Sequence, residues 1–121
     1  MEEKVKMQYK ELEQLIIQWA KDKGILEKAT PLTQIEKTQE ELDETREALF
    51  WDSKHVWQYK NSKGKLVNTK EEVADGYGDQ LVTLIIGAEM NGLKLENCLE
   101  AAYNVISKRT GVMKDGMFVK D

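Results

Sequence analysis

A chain of 121 residues accommodates one domain with one core, and 40% hydrophobic with 33% charged residues and a single proline exclude the disordered, fibrous and collagen-like classes. A formal net charge of −4 gives no electrostatic reason to expect a nucleic-acid polymer or an anionic membrane as partner, and no stretch approaches the ~20 apolar residues of a bilayer span. The lone cysteine, Cys98, excludes an internal disulfide and suits a reducing compartment; Met1-Glu2-Glu3-Lys4 leads into an amphipathic run rather than a signal peptide, so the expected location is the cytoplasm.

The first apolar series, Val5, Tyr9, Leu12, Ile16 and Trp19, steps by four and three and predicts a helix ending before Gly24. Thr30-Pro31 offers a cap followed by a first-turn proline, and Thr33 with Glu36 offers a second capping box, so helix 2 is expected from residues 31–34 to about Trp51. Residues 52–69 lose the helical period; Val56-Trp57-Gln58-Tyr59 and Leu66-Val67 flank an Asn61-Ser62-Lys63-Gly64 turn signal, which predicts a small hairpin. Thr69 with Glu72 repeats the capping-box spacing and opens helix 3, which Asn91-Gly92 should stop. Leu95, Cys98, Leu99, Ala102, Val105 and Ile106 mark helix 4, ending near Thr110-Gly111, and Met113 to Asp121 reads as a turn and an extended strap. Residues 1–121 thus predict a single all-α domain, a four-helix bundle with one elaborated central connection.

The acids of helices 2 and 3 carry the information about function. Residues turn by about 100° each along a helix, so Glu40 and Glu44 stand about 40° apart, with Glu41 and Glu47 in the same sector. On helix 3, Asp75 and Asp79 stand one turn apart, and Val82 and Ile86 continue their stripe. Leu81 to Ala88 is apolar nearly all round, the pattern of a helix surrounded by protein, so these carboxylates are expected to face the bundle or its mouth. Like charges in a partly dry site need compensation. The nearest basic residues on those faces are Lys37 and Arg46, whereas a hard cation such as Mg²⁺ takes oxygen ligands and leaves positions for water and phosphate. The alternative for helix 2 alone is a solvated acidic face; for Glu72 it is the capping box with Thr69, and for Glu71 the helix dipole.

These residues resemble the MazG-like superfamily of all-α nucleoside triphosphate pyrophosphohydrolases. The family's first motif, Glu-Glu-x-x-Glu, is matched by Glu40-Glu41-Leu42-Asp43-Glu44. Its second, Glu-x-x-Asp, is matched literally by Glu72-Val73-Ala74-Asp75; in another register Gly78-Asp79 matches the family's Gly-Asp, Gly76 stands where its Glu belongs, and Asp75 supplies the carboxylate one residue earlier. The second register is favoured because Asp75 and Asp79 share a face, and residues 101–121 look like the end of short, phage-type members. The resemblance spans roughly residues 12–121 with 52–69 as an insertion. It implies hydrolysis of a nucleoside triphosphate to monophosphate and pyrophosphate, with Mg²⁺ as cofactor or Mn²⁺ in its place, in a homodimer or homotetramer.

On that reading Glu41, Glu44, Asp75 and Asp79 are the metal ligands, with Glu72 behind them, and Glu40 or Glu41 handles the attacking water. Phosphate oxygens need cationic partners, for which Lys37, Lys108 and Arg109 are candidates, with Asn104 one turn from Lys108 reaching phosphate, sugar or a metal-bound water. The alternative for Lys108 and Arg109 is simple complementation of a helix carboxy terminus. Trp19 and Tyr103 are candidate base contacts, although Trp19 continues the core face of its helix and core packing is the simpler role. His55, alone in the irregular segment, receives no role, and Cys98 reads as a small core residue. The competing functions are a non-catalytic helical interaction module with an acidic, metal-binding face, and a phosphatase releasing single phosphates.

Overall fold

A computed structural model describes residues 6–121, so Val5 of the first apolar series lies outside the described residues. The elements are α1 (Tyr9–Asp22), α2 (Ile25–Lys28), α3 (Pro31–Ser53), β1 (Gln58–Lys60), β2 (Leu66–Asn68), α4 (Thr69–Met90), α5 (Leu95–Ile106), β3 (Gly111–Lys114) and β4 (Met117–Lys120). The chain is mostly helical, as expected. The short α2 was not anticipated; Gly24, at φ 77°, turns the chain into it.

The helix starts differ from expectation in an informative way. Thr30 Oγ1 accepts from Thr33 N at 3.1 Å and Thr33 Oγ1 accepts from Thr30 N at 2.9 Å, so the capping box of α3 is Thr30/Thr33 rather than Thr33/Glu36. At α4 the cap is Asn68, whose Oδ1 accepts from Glu71 N at 3.0 Å. Thr69 is instead fully buried inside the first turn, and Glu72 has no capping duty.

The expected central hairpin is present, with Tyr59 opposite Val67. Both point inward against Ala48, with Trp51, Val56 and Val73 around them, forming a small apolar core at one end of the helix pair. The tail is not a strap: β3 and β4 pair antiparallel through a two-residue turn, Asp115-Gly116, both at positive φ, as a tight primed turn requires. Helix α5 ends at Ile106, a turn earlier than expected, which releases residues 111–120 for this second hairpin.

The frame of the molecule is the antiparallel pair α3/α4, and its interface is largely polar. Gln34 Nε2 donates to Thr83 O at 3.2 Å, Thr38 Oγ1 lies 2.8 Å from Thr83 Oγ1, and Gln80 Nε2 donates to Thr45 Oγ1 at 2.9 Å. Residue numbers rise on α3 as they fall on α4, so the ladder sets the register. The helices come closest where Thr45 meets Gly76: any Cβ at residue 76 would collide with Thr45 Oγ1 and would also lie 3.0 Å from Thr45 Cβ. Gly76, the one departure from the expected acidic motif, thus has a packing reason. Helix α1 packs on α4 and buries Glu13 and Ala20. Glu13 Oε2 accepts from Glu96 N at 3.3 Å and so ties α1 to the start of α5.

Much apolar surface remains uncovered. Ile35, Leu42 and Leu49 form a seven-residue stripe along α3, and Tyr77, Leu81 and Leu84 form another along α4; at about 100° per residue both lie on the far side of the helix pair from Glu44 and Asp79. The expectation that α4 is enclosed by protein holds on one side only. Within α5, Leu95 and Cys98 of the apolar series are half-buried, while Leu99, Ala102, Val105 and Ile106 of the same series are exposed, as is Tyr103.

Gly76→Ala is expected to destabilise the protein by about 1–3 kcal/mol through overpacking, in spite of the better helix propensity of alanine. Gly78 has open space at its Cβ position, so Gly78→Ala should stabilise by up to about 1 kcal/mol. Urea unfolding midpoints of the two variants should move in opposite directions.

Candidate functional site

On the α1 side of the helix pair, α3 presents Glu40, Glu41 and Glu44 and α4 presents Glu72, Asp75 and Asp79. Glu41 is only 8% exposed. Its Oε1 lies 3.5 Å from Lys37 Nζ, while its Oε2 is buried and without a hydrogen-bond partner among the described residues. An unpaired buried carboxylate oxygen is costly, so this position is held by the fold against its own solvation preference. Glu40 is half-exposed and pairs with the same lysine at 3.3 Å.

The acids feel one another. Burial, then Glu44 and Asp79, raise the Glu41 pKa above the ordinary glutamate range, with Lys37 opposing. Asp79, although partly open to water, is raised by lost hydration, Asp75 and Glu44. Glu72 is raised by burial, Asp75 and Glu44, with Lys65 opposing. The structure therefore gathers Glu41, Glu44, Glu72, Asp75 and Asp79 into one electrostatic patch. Acids from both registers of the second motif, Glu72 and Asp79, belong to it. Among the described residues no group of three or more His, Cys, Asp or Glu side chains converges closely enough to hold a metal ion.

Two cavities border this patch. The larger, about 460 Å³, is lined by Trp19 and Ile25, by Thr33, Gln34, Lys37 and Glu41 of α3, and by Asp79, Val82, Thr83 and Ile86 of α4. Trp19 is 48% exposed: the inward stripe of α1 runs through Glu13 and Ala20, and the indole is left on the cavity wall instead of in the core. The second cavity, about 250 Å³, lies between Glu44, Glu47 and Glu72 of the helices and Asn61, Ser62, Lys63 and Lys65 of the β1–β2 loop, with Tyr59 and Val67 at its base. Lys63 Nζ stands 3.9 Å from Glu44 Oε1.

Tyr103, Asn104, Lys108 and Arg109 are all exposed and border neither cavity. The expected phosphate-binding group on α5 is thus not delivered to the acids within one chain, because α5 meets the rest of the fold through its first turn. Sequence reading missed Lys63 and Lys65, although the turn signal at Asn61–Gly64 and the lysines inside it were the available hint. Thr33, Gln34 and Thr83 were missed because nothing in helical periodicity marks a polar residue as cavity-lining. No known protein family matches the chain, and neither curated proteins nor solved structures yield a match.

A carboxylate whose folded pKa is raised binds protons more readily folded than unfolded, so stability from these groups falls as pH rises above the ordinary carboxylate range. In metal-free buffer Asp79→Asn should accordingly raise the melting temperature at pH 7 relative to the parent, and the gain should shrink as pH falls toward 4. A gain independent of pH would contradict the repulsion described above.

Proposed function

We propose that the chain is a MazG-like, Mg²⁺-dependent pyrophosphohydrolase that cleaves a nucleoside triphosphate to the monophosphate and pyrophosphate. The observation that carries this reading is that one cavity is lined both by a half-exposed tryptophan with aliphatic side chains and by Lys37, Glu41 and Asp79. Such a wall suits the flat apolar face of a base, and the acids opposite suit the phosphate end once cations are bound. Thr33, Gln34 and Thr83 supply hydroxyl and amide groups of the kind that read a base edge or a sugar hydroxyl.

The donor set fits a hard divalent cation. Every candidate ligand is a carboxylate, the patch has more acids than lysines to balance them, and the unpaired Oε2 of Glu41 lacks a proton donor. Glu44, Asp75, Asp79 and Glu72 would hold the ion after side-chain rotation toward one another. The bound ion would neutralise phosphate charge and align the reacting phosphoryl group.

The chain's own residues then have distinct tasks. Glu41, buried and with a raised pKa, suits removal of the proton from the attacking water. Glu40, tied to Lys37 and open to solvent, suits positioning of that lysine. Water adds to the α-phosphorus, the bond from that phosphorus to the bridging oxygen breaks, pyrophosphate leaves with the electron pair, and Glu41 holds the water's proton. Trp19 and its aliphatic neighbours hold the nucleoside and exclude water from one side.

The exposed stripes of α3 and α4 support a homo-oligomer. Two such helix pairs packed through Ile35, Leu42, Leu49, Tyr77 and Leu84 make a four-helix bundle with an acidic site on each outer side. A second copy also offers a route by which Tyr103, Asn104, Lys108 and Arg109 reach a site.

With Mg²⁺ present, a panel of ribo-, deoxyribo- and modified nucleoside triphosphates should yield pyrophosphate, and Glu41→Gln should lower kcat by about 10²–10⁴-fold. The parent rate should decline as pH falls through the raised pKa of Glu41, since the base must be unprotonated. Release of orthophosphate alone would mark a phosphatase, and no turnover of any triphosphate would leave the acidic face to a binding role. Ile35 is 55% exposed in the single chain, so Ile35→Glu should leave the fold intact and shift light-scattering mass from oligomer to monomer.

A further inference from the structure

The β1–β2 hairpin does more than join α3 to α4. We infer that its loop is a diphosphate-binding element, in which Lys63 and Lys65 hold the two phosphoryl groups that leave as pyrophosphate. The inference rests on the pyrophosphohydrolase reading and adds the residues that recognise the leaving group.

Three observations lead to it. First, the 250 Å³ cavity has a mixed lining of a particular kind: Lys63 and Lys65 on the loop, Glu44, Glu47 and Glu72 on the helices opposite. A free anion is repelled by such a wall and a free cation by the loop. A divalent cation together with a diphosphate satisfies both, with the metal on the carboxylates and the phosphate oxygens on the ammonium groups. Second, the lysines are not committed to the acids. The Lys63–Glu44 separation of 3.9 Å is well beyond the roughly 2.7–2.9 Å of a charge-assisted hydrogen bond.

Third, the loop is rigidly built. Asn61 Oδ1 accepts from both Lys63 N and Lys65 N at 3.0 Å, Asn61 N donates to Lys65 O at 2.9 Å, and Gly64 takes the left-handed conformation at φ 77°. Below it, Tyr59 and Val67 are anchored in the apolar core against Ala48. Such hydrogen bonds are what any tight hairpin turn uses; here they also fix where the backbone of Lys63 and Lys65 stands relative to the helices. The two cavities have no lining residue in common, but Glu41 of the one and Glu44 of the other stand about one turn apart on α3. A triphosphate laid with its base on Trp19 and its phosphates along α3 from Glu41 to Glu44 would point toward the loop.

The test is calorimetric titration of inorganic pyrophosphate into the full chain at fixed Mg²⁺, for the parent, Lys63→Ala/Lys65→Ala and Lys60→Ala. Lys60 lies on the same hairpin, is exposed, and does not border the cavity, so its removal shows what the loss of one nearby positive charge does without a change in the cavity lining. The double variant should bind pyrophosphate more weakly by roughly tenfold per lysine, on the order of 100-fold together, with Lys60→Ala within about twofold of the parent. A matching rise in KM for the triphosphate, larger than the change in KM for kcat-matched conditions at Lys60→Ala, should accompany it. Titration of Mg²⁺ alone separates the plainer role. If the lysines only balance acidic charge, their removal tightens Mg²⁺ and leaves pyrophosphate affinity unchanged, which overturns the inference while triphosphate turnover by the parent stands. Weakened pyrophosphate binding in a parent that hydrolyses no triphosphate would instead retain the diphosphate site and remove the reaction assigned to it. Circular dichroism melts confirm that the loop variants fold.

Discussion

The distance between α3 and α4 is the constraint on which the site depends. It is set at Thr45 and Gly76, where a backbone without a side chain meets a β-branched one held by its hydrogen bonds to Glu41 O at 2.7 Å and to Gln80. Glu41 and Glu44 flank that threonine on α3; Asp75 and Asp79 flank that glycine on α4. The closest approach of the two backbones is thus also the centre of the acidic patch. Were residue 76 larger, the helices would part and the carboxylates with them.

A polar interface suits this purpose better than an aliphatic one. Aliphatic side chains tolerate sliding and repacking at modest cost, whereas Gln34 and Thr38 bond to Thr83, and Gln80 to Thr45, in one register. Opposed carboxylates push the helices apart, and directional bonds joining Gln34, Thr38 and Thr45 to Thr83 and Gln80 resist that force. The cost of gathering the acids shows at Glu41, Glu72 and Asp79, whose pKa values are raised by burial and by their acidic neighbours. Stability given up in this way is common where a site must bind charge.

The fold was legible where the chain is long and regular. Helices α3 and α4 announce themselves through caps, periodicity and stop signals, and the acids follow from their spacing on those helices. What escaped depends on contacts between distant segments. Lys63 and Lys65 reach Glu44 and Glu72 only because the hairpin folds back over the helix ends, a relation that no period along the chain encodes. Trp19 reads from the sequence as a candidate base contact with core packing as the simpler role, because it continues the apolar stripe of α1, and periodicity alone does not choose which part of that helix meets α4. The tail hairpin was visible only as its turn, since Met117-Phe118-Val119 pairs with a strand whose first residue is a glycine lying under Phe118.

The two sides of the α3/α4 pair are chemically opposite, and this links assembly to the site. One side holds charges that repel across the interface; the other presents Ile35, Leu42, Leu49 and Leu84 to solvent. Covering the second side with another copy would clamp the same two helices that the acids tend to separate. In the assembly proposed above, apolar burial of that stripe would therefore oppose the separation of the helices that the acids favour. Binding of the cation, by removing the repulsion, should in turn favour the closed packing of the pair. The two events act on one mechanical coordinate, the α3–α4 spacing at Thr45 and Gly76, and each strengthens the other by ordinary linkage.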